Sequence, residues 1–367
     1  MKKIFTLLLS AIVSLSAYAQ ITDGFYRLKC KQTGRYLTIH NNYVNKESAK
    51  RTGNVDLQSL ETITDFDDIV DDPGSIIYMK KTSAGWAIEG QGFTTEGKLD
   101  LKLTQVNDAY RVWTTVKYDG VEYTRYLRDY EQEPGYSYII TDPNLSSNWE
   151  WYFIPVDNDN YMGLKGDVQV GNEYYTTLYA MFPIQLGSNM KAFAVKSMTT
   201  SSCTLEDIGN VVPAKTPVVI KCAGEEASAN KVTPLASNTK LEGTNHLSGV
   251  VFCYPVLTAS GKERRDNPAW NALDYDPLKM RVLGESDGKL CFITSDELIY
   301  VPGNTAYLNV TADADPIMPT ESSTGILSVK IQPTPSVKGR YTLQGVPIPD
   351  NVEPRGIYIE DGKKVIK

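Results

Sequence analysis

Gly24-Phe25-Tyr26-Arg27-Leu28, followed by Gly34-Arg35-Tyr36-Leu37-Thr38-Ile39, sets the fold class of this chain. Aromatic and β-branched residues fill both runs, and a glycine breaks them. That is the signature of two short strands joined by a turn. The pattern returns along the chain. Ile76-Ile77-Tyr78-Met79 leads to Gly85-Trp86-Ala87-Ile88, and Tyr110-Arg111-Val112-Trp113 leads to Tyr126-Leu127-Arg128. Trp149-Glu150-Trp151-Tyr152-Phe153 closes the series. Short Val/Ile/Thr/Tyr-rich runs, broken by Gly, Asn, Asp and Pro roughly every ten residues, predict an all-β protein of sandwich or barrel type. Amphipathic helical spacing is nearly absent. Its best candidate is Asn54 to Ile69, where Val55, Leu57, Leu60, Ile63 and Ile69 form a loose apolar stripe ending at Asp71-Asp72-Pro73-Gly74.

A strand, a glycine turn and a second strand repeating at intervals of roughly 35 to 50 residues suggest weak threefold repetition. Residues 20–157 are therefore expected to form a β-trefoil-like domain. A second all-β, sandwich-like domain is expected over 158–310. It contains Glu173-Tyr174-Tyr175-Thr176-Thr177-Leu178-Tyr179 and Val211-Val212-Pro213-Ala214-Lys215-Thr216-Pro217-Val218-Val219-Ile220. Pro213 and Pro217 confine that last segment to strand starts, edges or turns. The polar, proline-containing stretch 311–324 reads as an exposed linker, and 325–367 as a short strand-rich tail.

The N-terminus reads as an export leader. Lys2 and Lys3 precede the apolar run Ile4 to Val13, and Ala17-Tyr18-Ala19 forms a small-x-small cleavage site before Gln20. Residues 1–19 are thus expected to be a secretory signal peptide, and the mature protein to be secreted or held at the outer surface. No segment approaches the roughly 20 apolar residues of a membrane-spanning helix. Loss of Lys2 and Lys3 leaves 35 basic against 44 acidic residues, a net charge of −9. Nucleic acid and anionic membrane surfaces need clustered positive charge, so both are poor partners.

Five cysteines, Cys30, Cys203, Cys222, Cys253 and Cys291, are an odd number for an exported chain. Three of them sit in or beside apolar runs, where buried inert thiols are the ordinary state. One bridge, Cys203 to Cys222, is the alternative. There is no CxxC, and neither a metal site nor a cofactor is expected.

Catalytic groups are sparse. Gly284-Glu285-Ser286-Asp287-Gly288 matches G-x-S-x-G, but Lys289-Leu290-Cys291-Phe292-Ile293 after it is strand-like where a hydrolase needs a helix. A hairpin turn fits better. Only His40 and His246 are present, and a pair of His246 with Cys253 has no supporting signature. Asp65, Asp67, Asp68, Asp71 and Asp72 could supply glycosidase acids, yet nothing pairs two of them across a sugar, and a solvated acidic run explains them. Asp157-Asn158-Asp159-Asn160 alternates like a calcium loop but continues with Tyr161-Met162, so it reads as a turn.

Several segments together carry a resemblance to a known group. Gly24-Phe25-Tyr26-Arg27-Leu28 with Thr33-Gly34-Arg35-Tyr36-Leu37, Trp151-Tyr152-Phe153-Ile154-Pro155-Val156 and Met190-Lys191-Ala192-Phe193 belong to it. So do Met280-Arg281-Val282-Leu283-Gly284 and Val301-Pro302-Gly303-Asn304-Thr305-Ala306-Tyr307-Leu308. The chain resembles uncharacterised exported proteins of the Bacteroidales, which implies an address and no reaction. The tail, with Tyr341-Thr342-Leu343-Gln344-Gly345, Arg355-Gly356-Ile357-Tyr358-Ile359 and Gly362-Lys363-Lys364-Val365, is similar to the end of type IX secretion domains. Thr342 stands where that pattern has Asp. The resemblance implies surface export; a pair of capping hairpins is the alternative.

Sugar-binding proteins stack rings on exposed aromatic faces. Ricin-type trefoils carry Q-x-W in each repeat, and here only Asn148-Trp149-Glu150-Trp151 echoes it. Trp149 and Trp151 read as core. Trp270, after Arg264-Arg265-Asp266-Asn267-Pro268, and Tyr136, after Pro134-Gly135, sit in polar loops. They are the candidate ligand contacts, with Trp86 a third. The expectation is a non-catalytic binding protein for glycans or host-surface ligands. A carboxylate-based glycoside hydrolase and a structural surface subunit are the alternatives.

Overall fold

The computed structural model describes residues 20–42, 60–63, 66–132, 136–138, 147–236, 239–258, 260–267, 269–311, 314, 316–321, 329–331, 340–342, 347–348, 357–360 and 363–366. The leader 1–19, together with Asn54, Val55, Leu57 and Asp65, lies outside these residues. The protein is all-β, with 49 % strand against 2 % helix. Where a helix was expected, Leu60–Ile63 is a strand paired with Tyr36–Ile39. Among the described residues of that stretch, only Phe66–Ile69 turns helically. A four-residue partner ladder outweighs the weak apolar stripe, because helix nucleation fixes several residues for one hydrogen bond.

The first region curls into a ring. Its first strand, Gly24–Cys30, pairs with its last, Glu150–Pro155, and also with Ile77–Lys81. Ile77–Lys81 continues to Trp86–Gly90, and Glu150–Pro155 continues through Ala109–Tyr118 to Lys102–Val106. The two arms meet at Trp86 and Leu101, whose backbones exchange hydrogen bonds of 2.7 and 3.2 Å. Alternation along the strands fills the interior with Leu28, Cys30, Met79, Ile88, Val112 and Trp151. Trp151 is fully buried, as read from the sequence, and its indole N–H donates to Leu127 O at 3.0 Å.

The second region is a stack of three sheets. Its middle sheet runs Val168–Val170, Glu173–Leu178, Val218–Cys222, Lys191–Met198, Ser202–Asp207 and Met318–Glu321. Ala192, Ala194, Val218 and Ile220 face one layer, with Ile184, Leu186 and Val232. Phe193, Val195 and Val219 face the other, with Leu247, Phe292 and Leu308. Burial on both faces explains why these strands read as continuous apolar runs.

Residues 311–324 depart from the expected exposed linker. Met318–Glu321 inside them pairs in parallel with Ser202–Asp207, and Ile317 is fully buried. Val329–Ile331 pairs with Thr239–Leu241. The last segments form a four-stranded antiparallel sheet ordered Pro347–Ile348, Arg340–Thr342, Ile357–Glu360, Lys363–Ile366.

The two regions are tied by Arg27. Tyr26 and Leu28 face the ring interior, so Arg27 points outward into the junction, where it is fully buried. Its guanidinium donates to Ser75 Oγ (3.0 Å), Asn160 Oδ1 (3.0 Å), Tyr161 O (2.7 Å) and Ile69 O (3.2 Å). The Asp157–Asn160 segment is the turn expected of it. Asp157 Oδ1 accepts the N–H groups of Asp159 and Asn160, and Asn160 serves Arg27.

Candidate functional site

A cleft opens where the ring meets the sandwich, and a hairpin tip divides it. Trp86–Gly90 pairs with Phe93–Thr94 in the register Gly90↔Phe93, leaving Gln91-Gly92 as a two-residue turn. Both residues have positive φ, 48° and 80°, the primed turn that matches strand twist. A Cβ at Gly92 would lie 2.8 Å from Met181 Cε. Glycine therefore serves both the turn and the close approach to the second region. Gln91, almost fully buried, clamps across the junction. Its Oε1 accepts from Met181 N at 2.9 Å and its Nε2 donates to Asn304 Oδ1.

On one side of this tip lies a cavity of about 450 Å³. Asn42, Gln91 and Gly92 line it from the ring; Met181, Val250, Phe252, Trp270, Asn271 and Leu273 line it from the second region. The loop carrying Trp270 is held by paired backbone bonds between Tyr254 and Asn271 (3.1 and 3.3 Å). The half-buried indole has the Arg265 guanidinium over it at 4.9 Å and the Tyr300 ring edge-on at 6.1 Å. Arg265 makes a bidentate pair with Asp274 (2.8 and 2.9 Å) and a further bond to Glu263 (3.1 Å). The Tyr300 hydroxyl also donates to Glu263. These bonds, the one to Asp274 first, raise the Arg265 pKa, and the same contact holds the Asp274 carboxyl below its usual range.

On the other side lies a cavity of about 460 Å³, more aromatic, with Phe25, Tyr78, Phe93 and Phe182 in its walls and Glu89 and Lys215 among its lining residues. Burial raises the Glu89 pKa, against the lowering influence of Lys80. Among the described residues, the first cavity is lined by no carboxylate and the second by Glu89 alone, so these residues place no opposed acid pair in either.

Of the three sequence candidates, Trp270 lines the first cavity. Trp86 lines neither cavity. It packs against the ring core with the Lys81 ammonium 4.6 Å over its ring, and its backbone closes the ring. Tyr136 begins the strand Tyr136–Tyr138, opposite Gln132, and its side chain lies outside the described residues. Trp149 is half-buried rather than core, between Tyr126 (4.7 Å) and the Arg111 guanidinium (4.3 Å). Sequence reading missed Gln91, although Gln-Gly between two strand-like runs is a turn signal.

The other constellations resolve locally. Ser286↔Lys289 closes a hairpin over Asp287-Gly288, as expected for the G-x-S-x-G stretch. All five cysteines are free thiols, so the Cys203–Cys222 bridge is not formed, and only Cys253 is not buried. His40 stacks on Tyr254 at 3.9 Å. Asp72 is an N-cap, accepting from Gly74 N at 2.7 Å and from Thr38. Asp71 pairs with Lys165 at 3.2 Å.

Among the described residues no group of three or more metal-ligating side chains occurs, and no helix is long and apolar enough to cross a membrane. No family model, curated protein or solved structure matches this chain.

Proposed function

We propose that this is an exported binding protein that takes a saccharide in the cleft between its ring and its sandwich. The observation that carries the reading is Trp270, half-buried in the wall of an open cavity of about 450 Å³ that Asn42 and Asn271 also line. An indole offers a flat apolar surface to the C–H face of a sugar, and amides exchange hydrogen bonds with its hydroxyls. We read the ring as trefoil-like because its first and last strands pair and a bridge at Trp86 and Leu101 completes it. The leader and the strand-built tail support export to the outer surface, with the tail as a sorting element.

A glycan array followed by calorimetry on the mature protein tests the reading. Trp270→Ala is expected to weaken the best glycan at least tenfold, about 1.4 kcal/mol, with an unchanged circular dichroism spectrum. Full affinity in that variant removes the cleft from the site. Fractionation of cells producing the whole chain tests the address: the mature protein is expected at the outer surface with its tail removed.

A further inference from the structure

Resting on that reading, we infer that the cleft beside Trp270 selects an uncharged saccharide and discriminates against sialylated, sulfated or uronic acid-containing ones. Among the described residues, every one lining this cavity is apolar or carries a neutral amide, and none is ionisable. The cation over the Trp270 ring, Arg265, is already paired with Asp274 at 2.8 and 2.9 Å and with Glu263 at 3.1 Å. Its neighbour Arg264 is paired with Asp266 at 3.5 Å.

An incoming carboxylate or sulfate would compete with these acids for the guanidinium or enter without a counter-charge of its own. Burial of an unpaired anion is strongly unfavourable. The excess of acidic over basic residues in the protein without its leader, 44 against 35, adds long-range repulsion of anions. A neutral pyranose meets none of these obstacles. Its hydroxyls find the amides of Asn42 and Asn271, and its C–H face finds Trp270, Phe252 and Leu273.

The test uses the mature wild-type protein, so it does not depend on a variant's folding. Affinities are measured for neutral lactose, N-acetyllactosamine and chitotriose, and for 3′-sialyllactose, 6-sulfo-N-acetyllactosamine and a heparin tetrasaccharide, at 20 and 500 mM NaCl. The expected result is binding within the neutral set. 3′-Sialyllactose and 6-sulfo-N-acetyllactosamine should each bind at least tenfold more weakly than their neutral parents, the heparin tetrasaccharide more weakly than every neutral member, and the neutral affinities should change less than about twofold with salt, since screening acts on charges. Tighter binding of the acidic members, falling as salt rises, overturns the charge selection while leaving the cleft as a saccharide site. Binding of neither set overturns both.

Discussion

The Oε1 atom of Gln91 accepts the backbone N–H of Met181 at 2.9 Å, joining a hairpin tip of the ring to the sandwich across ninety residues of chain. The same side chain donates to Asn304. The residue holds this position at a left-handed φ of 48°, which is unfavourable by about 1 kcal/mol for a residue with a Cβ. Gln91→Ala is expected to remove both bonds, to leave the Met181 N–H unpartnered, and to lower unfolding stability by about 1–3 kcal/mol. Gln91→Gly loses the same bonds but relieves the backbone, so its urea midpoint should exceed that of the alanine variant by about 1 kcal/mol in stability. Equal midpoints would mean that the turn does not hold this φ in solution.

Closure of the ring rests on one glycine. Gly85 has φ 153°, and a Cβ there would lie 2.2 Å from Leu101 O, the acceptor of the Trp86 N–H. Gly85→Ala must move one arm of the ring away from the other. A loss of at least ~2 kcal/mol is expected, with accelerated hydrogen exchange at the Trp86 and Leu101 amides. Protection at wild-type levels in that variant would show that the two arms are held by something other than this bridge.

What the sequence made legible was local. Asp287-Gly288 announced its hairpin because a primed turn is encoded by two adjacent residues. The buried Trp151 announced itself because strand alternation is a property of neighbours. The cleft is different in kind. Gln91, Met181 and Trp270 meet only after two separate sheets have formed and packed, and no spacing in the chain records that meeting. Met318–Glu321 was hidden for a related reason. Its proline- and aspartate-rich flanks have loop chemistry, and it is ordered as a strand by its partner, Ser202–Asp207, more than a hundred residues earlier. Trp86 stands apart from this cleft: its ring packs on the core and its backbone completes the ring of strands.

The thiols give the protein an alkaline limit. Burial pushes Cys203 and Cys222 up to about 12, well above an ordinary thiol near 8.5. Between about pH 9 and 12 the unfolded chain has released these protons while the folded chain retains them. The folded state binds more protons there, so stability falls as pH rises, by about 1 kcal/mol per pH unit per thiol. Unfolding by urea at pH 7, 9 and 10.5 checks this, and a double Cys203→Ala, Cys222→Ala variant should show a flatter decline. At pH 8 the native protein should react with Ellman's reagent first at Cys253, the one cysteine that is not buried, and at all five after unfolding.

The segment after Val310 is structural, and Ile317 shows it most directly. It is fully buried in the core shared with Phe292, and the two residues exchange backbone hydrogen bonds of 2.9 Å in both directions. An exposed linker would tolerate any substitution there. Here Ile317→Ala should cost about 2–5 kcal/mol, the range for emptying a buried aliphatic site, and Ile317→Asp should prevent folding of the sandwich by placing an unpaired charge in it. A chain ending at residue 310 lacks both Ile317 and Met318–Glu321 and exposes the edge of Ser202–Asp207, so it should aggregate where a chain ending at 332 stays monodisperse. Size-exclusion profiles and thermal midpoints of the two truncations decide the matter: equal behaviour would return residues 311–324 to the status of a simple connector.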